Sequence, residues 1–291
     1  MRPTILVTGA DGQVGFELAR LLAPHGEVIA ADRARLDLAD PDAIVAALRG
    51  ARPDLVVNTA AYTAVDRAES ESALAHAVNG RAPLVLAEEA RRLGAVLIHY
   101  STDYVFDGRS TTPYHEDAPT APLNVYGASK LEGERAVAST GAHALVFRTS
   151  WVYGLRGKNF LLTSRRLAAE RDELSIVADQ VGVPHWSRAL AEATVRVVGA
   201  GLPALKERAG LYHLSSTGHA TWHEFARAIV GDVSRPHLVP ISTAQYPTPA
   251  RRPAYGVLAT TRFERTFGFA LPAWRDALAR CLESAAEPPP S

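Results

Sequence analysis

The chain has 291 residues, with 31 Lys+Arg against 31 Asp+Glu, so its formal net charge is zero. That balance lacks the positive excess by which proteins neutralise nucleic-acid phosphates, so no nucleic-acid partner is expected. Hydrophobic residues make up 47% and charged residues 21%, a globular composition, and no run approaches the roughly 20 apolar residues that cross a bilayer. A lone cysteine, Cys281, argues against disulfide scaffolds, Cys-rich zinc sites and redox pairs, and points to a reducing cytoplasm.

In chain order, residues 4–8 predict a strand, 14–22 a helix, 27–31 a strand and 42–48 a short helix. A strand over 54–58, a strongly periodic helix over 73–94, a strand over 95–100, a helix over 124–140 and a strand over 144–147 follow. Uninterrupted β-branched runs alternating with helices specify a parallel sheet buried on both faces, a doubly wound α/β (Rossmann) fold. Beyond Trp151 strands are sparser: helices are predicted over 160–171, 189–199 and 222–230, and a strand over 210–214. The proline-rich stretch 236–253 reads as a loop and 287–291 as a disordered tail. The shift near residue 150 divides the chain into a dinucleotide-binding domain over 1–150, with a return helix near 187–200, and a smaller mixed α/β substrate-binding domain over 151–286.

Gly9, Gly12 and Gly15 lie between the first strand and the first helix in a G-x-x-G-x-x-G spacing. Glycines there permit a tight turn and close approach of backbone to a pyrophosphate, which the first-turn N–H groups, including those of Gln13 and Val14, would hold. Asp32 ends the second strand, where an acid bonds a ribose 2′-hydroxyl and favours NADH. Arg33 and Arg35 follow and would pair a 2′-phosphate, favouring NADPH, so either cofactor is expected. Asp37 and Leu38 would sit against the adenine, with capping of the helix after Pro41 the other reading of Asp37. Ala60, Ala61 and Tyr62, after the third strand, would let backbone pass close to the cofactor.

Tyr126 and Lys130 stand at i and i+4, on one helix face. An ammonium beside the phenol would lower its pKa from about 10 toward the working range, and the same lysine would reach the nicotinamide ribose. Ser101 or Thr102, at the carboxyl end of the fourth strand, would donate to a substrate carbonyl.

These parts, in this order, resemble the extended short-chain dehydrogenase/reductase family. Four segments, 58–70 (NTAAYTAVDRAES), 100–108 (YSTDYVFDG), 122–134 (PLNVYGASKLEGE) and 147–154 (FRTSWVYG), are similar to its dTDP-4-dehydrorhamnose reductase branch, and the similarity covers nearly the whole chain. The resemblance implies hydride delivery to the C4 ketone of a dTDP-6-deoxyhexose, with Tyr126 as the acid, Lys130 tuning it and Thr102 on the carbonyl. It also implies that Thr63, Val65, Thr102, Asp103, Asn124, Trp151, Trp222 and Arg252 contact the sugar nucleotide. Some members dimerise through a glutamate-held metal; Glu17 matches one position, but Arg188 stands where another acid belongs, so no metal is expected and the chain is read as monomer or homodimer.

A dehydratase needs a second carboxylate after the Ser/Thr, and Thr102-Asp103-Tyr104-Val105 lacks it; a GDP-fucose synthase type needs a catalytic cysteine, and Cys281 lies too near the C-terminus. A sister ketoreductase of another deoxysugar and a non-catalytic dinucleotide-binding regulatory subunit remain alternatives. His99, His185, His213, His219 and His223 lack metal-ligand spacing and read as packing or surface residues.

Overall fold

The computed structural model describes residues 2–231 and 236–286. Its first half alternates β1 (Thr4–Thr8), α1 (Gln13–Leu21), β2 (Glu27–Ala31), α2 (Pro41–Ala51), β3 (Leu55–Asn58), α3 (Val65–Ala68), α4 (Ser72–His76), α5 (Ala82–Leu93), β4 (Val96–Thr102), α6 (Val125–Ser139) and β5 (His143–Thr149). The second half adds β6 (Val152–Tyr153), α7 (Phe160–Glu170), β7 (Glu173–Val177), β8 (Val181–Gly182), β9 (His185–Trp186) and α8 (Ser187–Val198). It ends with α9 (Leu202–Glu207), β10 (Gly210–His213), β11 (Ala220–Thr221), α10 (Trp222–Val230), β12 (His237–Ile241), α11 (Thr261–Phe267) and α12 (Trp274–Ala286).

The six-stranded sheet runs β2-β1-β3-β4-β5-β10, parallel throughout. Side chains alternate between two cores: Ile5, Val7, Val57 and Ile98 join Leu18 of α1 and Leu190 of α8, while Leu6, Val56 and Leu97 join Ile44 of α2 and Leu86 of α5. Each such buried side chain contributes about 1.5–3 kcal/mol, which is why the strands read as unbroken apolar runs. From β1 the chain steps outward to β2 and then crosses to β3 on the other side. The order thus reverses at β1, and the carboxyl ends of β1 and β3 frame a crevice where such folds bind ligands.

The strands and longer helices of the first half stand where the sequence places them; the short α3 is not foreseen from the sequence, and one helix differs internally. The helix predicted over 73–94 holds a π-helical turn at Ala77–Arg81. Pro83 has no N–H for the Asn79 carbonyl four residues earlier, so the turn widens. The chain also returns to the main sheet after residue 150: β10 pairs with β5, and α8 packs on α1. The expected loop 236–253 is overturned in part, because β12 pairs in parallel with β7 and a 3₁₀ turn follows at Thr243–Gln245. Pro240 is accommodated because a two-stranded ribbon has only edges, and the residue is exposed there. The segment 287–291 lies outside the described residues. No described helix is long and apolar enough to cross a membrane.

Candidate active site

The glycine turn opens a cleft of about 520 Å³ at the carboxyl ends of β1, β3 and β4. Gly9 has φ +66°, open to glycine without strain, and a Cβ there would lie 2.8 Å from the Ala60 backbone. At Gly15 a Cβ would fall 2.1 Å from the Gly9 carbonyl oxygen. Gly12 is the N-cap of α1 without a side-chain cap, so the first-turn amides face the cleft that Gly12, Gln13, Val14 and Gly15 line. Such a cradle fits a dinucleotide pyrophosphate.

At the adenine end Arg33, Leu36, Asp37 and Leu38 line the cleft, and Arg33 pairs with Asp37 at 3.5 Å. Asp32 does not line it: its carboxylate accepts from the Arg35 amide at 3.0 Å and closes the local turn. Asp40, rather than Asp37, caps α2, accepting from Asp42 and Ala43. On the other wall Ala60, Ala61, Tyr62 and Thr63 line the cleft. Asn79, presented by the π turn, holds this loop: its Oδ1 accepts from Tyr62 N at 2.8 Å, and its Nδ2 donates to Tyr62 O and to Ser129 Oγ of α6, both at 3.0 Å. Sequence spacing gave no sign of this clamp.

Tyr126 and Lys130 reach the cleft from α6. The Lys130 ammonium donates to the Tyr100 carbonyl at 2.5 Å and lies 3.5 Å from His99 Nε2. Burial lowers it to about 8 against the opposing pull of Glu134. The expected lowering of the Tyr126 phenol is not found: burial pushes it up to about 12, with the Thr102 hydroxyl pulling the other way and Asp103 adding to the rise. The lysine is committed to a carbonyl, so desolvation wins. Ser101 Oγ donates to Glu134 at 2.5 Å, which leaves Thr102 as the strand-end hydroxyl next to Tyr126. Thr102 donates to Asp103 Oδ1 at 3.0 Å; Asp103 Oδ2 has no partner, and burial raises this carboxyl to about 7. Both residues are buried beyond the lining of the cleft.

Of the expected sugar-site residues, Thr63 lines the cleft; the others stand outside it. Val65 begins α3. Asn124 caps α6 by accepting from Gly127 N at 2.8 Å and donates to Arg251 O at 2.7 Å, so its amide is already committed. Arg252, expected to meet a diphosphate, is paired with Asp66 at 2.7 Å. Trp151, expected to offer a flat wall, has its face covered by Trp222, the rings stacked 3.5 Å apart. Lys158 also lines the cleft, unforeseen from the sequence.

The histidines His99, His185 and His213 are buried; His185 Nδ1 is bonded to the Ser150 carbonyl and His213 Nδ1 lies 3.1 Å from that of Ala259. Arg188 pairs with Glu192 at 3.2 Å, and among the described residues no group of three His, Cys, Asp or Glu could hold a metal.

The family model described as the RmlD substrate binding domain matches residues 1–287. The chain belongs to this family. A dTDP-4-dehydrorhamnose reductase from Burkholderia thailandensis is 51% identical, over 96% of this chain and 97% of its own. Its counterpart in Escherichia coli K12 is 43% identical, over 96% of each chain. A crystal structure of dTDP-4-dehydrorhamnose reductase from Bacillus anthracis in complex with NADP matches with a TM-score of 0.91 at 34% identity, covering 98% of this chain and 100% of that one. RmlD membership bears out the resemblance carried by the glycine turn, the strand-end hydroxyl and Tyr-x-x-x-Lys.

Proposed function

We propose that the protein is a dTDP-4-dehydrorhamnose reductase, reducing the C4 ketone of dTDP-4-dehydro-L-rhamnose to dTDP-L-rhamnose with NADPH or NADH. The observation that carries this is the meeting of Tyr126 and Lys130 in the glycine-turned cleft, with the buried Thr102 hydroxyl next to Tyr126, in a chain of the RmlD family. A nicotinamide dinucleotide held by the glycine turn, Tyr126 and Lys130 would supply the hydride for the carbonyl carbon. A phenol pushed to about 12 keeps its proton at neutral pH, the state needed to protonate the developing alkoxide. Thr102 would turn its hydroxyl to the carbonyl oxygen, and Asp103, neutral below about 7, can return a hydrogen bond to Thr102. The Lys130 ammonium, charged below about 8, would stabilise the phenolate left after transfer until solvent restores its proton.

Arg33, which lines the cleft, supports use of a 2′-phosphate, while its pairing with Asp37 leaves the unphosphorylated cofactor open as well. We also infer a sugar site formed by residues beyond 150 together with Thr63, Val65 and Asn124, which requires the Trp151–Trp222 stack to open. A free, buried Cys281 supports a cytoplasmic setting, the balanced charge supports the absence of a nucleic-acid role, and monomer or homodimer is the expected assembly.

The test is oxidation of NADPH and of NADH with dTDP-4-dehydro-L-rhamnose, comparing the parent with Tyr126→Phe and identifying the product. Formation of dTDP-L-rhamnose, lost by at least about a hundredfold in the variant, is expected. Turnover of a different 4-keto-6-deoxysugar alone would reassign the protein to a sister ketoreductase. Cofactor binding with no turnover of any such sugar would make it a regulatory subunit.

A further inference from the structure

Three cations line the cleft: Arg33 after β2, Lys130 on α6 with Tyr126, and Lys158 just before α7. Two are already engaged, Arg33 with Asp37 and Lys130 with the Tyr100 carbonyl. Lys158 has no hydrogen bond or ion pair to any described residue. Its segment is nevertheless tied to the first turn of α1 at two points. Asn159 Nδ2 donates to Gln13 Oε1 at 2.8 Å, to Gly154 O at 2.9 Å and to Arg156 O at 3.0 Å, while its Oδ1 caps α7 through Leu162 N. The Arg156 guanidinium lies 3.8 Å over the Phe16 ring. Gly157, at φ +69°, turns the chain between these anchors, and a Cβ there would stand 3.8 Å from Gln13 Cγ.

We propose that Lys158 is a binding residue for the cofactor pyrophosphate, meeting from the cap side the phosphates that the α1 amides meet from the sheet side. The amides supply only the partial charge of a helix end, and the turn itself carries Asp11, which also lines the cleft. A diphosphate carries two negative charges that a full cation would meet more strongly than amides alone, and Lys158 is the cleft cation beside the turn with no partner among the described residues. Because Gln13 belongs to the turn and Asn159 adjoins Lys158, the backbone that carries the lysine is held beside the amides rather than on a free loop. The inference rests on the nicotinamide-dinucleotide reading of the cleft and is independent of which sugar is reduced.

The experiment measures dissociation constants by calorimetry, without sugar, for NADPH, ADP-ribose 2′-phosphate and adenosine 2′-monophosphate. Lys158→Ala should weaken the two pyrophosphate-bearing ligands about tenfold and leave the monophosphate unchanged. Lys158→Glu should weaken them further, and Lys158→Arg should restore most of the affinity. Unaltered NADPH binding in Lys158→Ala, or equal losses for all three ligands, would overturn the assignment. Equal thermal midpoints of the ligand-free proteins check that the exposed substitution leaves the fold intact. If these ligands respond to Lys158 but no keto-sugar is reduced, the reductase reading fails and this one stands.

Discussion

Asp103→Asn removes the titration of a buried carboxyl while keeping its shape, so its effect on stability should depend on pH in a defined direction. The carboxyl is 1% exposed, its Oδ2 has no partner, and burial moves it from an ordinary 3.8 to about 7. Between those values the folded chain holds a proton that the unfolded chain has released, so this group's contribution to stability falls as pH rises and is wholly lost above about 7. Ionising it inside the fold costs on the order of 4 kcal/mol. Asparagine keeps the shape and does not titrate. The difference in unfolding free energy between variant and parent should therefore move by about 4 kcal/mol in the variant's favour from about pH 4 to about pH 7.5, then level off. Urea titrations of both proteins across that range, followed by tryptophan fluorescence and far-UV circular dichroism, measure it. A difference independent of pH would refute the reasoning, because the carboxylate would then be as well solvated in the folded protein as in the unfolded chain.

Gly15→Ala brings a methyl to 2.1 Å from the Gly9 carbonyl oxygen and should cost the dinucleotide at least about tenfold in affinity, read by NADPH fluorescence; parent-like binding would contradict the cradle. Arg148 and Glu134 form a buried pair at 2.6 Å, so Arg148→Met, which strands the carboxylate, should destabilise by about 3–5 kcal/mol, while Arg148→Met with Glu134→Gln recovers much of the loss in chemical denaturation. Keto-sugar reduction should decline as pH rises past about 8, where Lys130 loses its charge, and Lys130→Arg should extend the plateau upward; a parent rate flat through pH 10 would remove the ammonium from the reaction.

The central sheet is legible because burial on both faces demands unbroken β-branched runs at 4–8, 54–58 and 95–100. The β7–β12 ribbon is not, since its strands are mostly exposed or half-buried, with Leu174 alone buried, and one contains Pro240. The glycine turn and Tyr-x-x-x-Lys are local patterns and so declare themselves. Asn79 on Tyr62 and Ser129, Asp66 on Arg252, and Asn159 on Gln13 join residues remote in sequence, and no spacing announces them. The high proton affinity of Tyr126 follows from desolvation, which only the packed structure determines.

The sixth strand of the sheet is residues 210–213, and α1 is covered by α8. At roughly 5–20 residues per second, a growing chain that has just completed β5 waits several seconds for the segment that closes it. In that interval one sheet edge is open to pairing with another chain and the apolar face of α1 is wet, the combination that invites aggregation or chaperone capture. Cutting the chain at its compositional boundary near residue 150 would therefore yield an unfinished sheet rather than a small cofactor-binding protein.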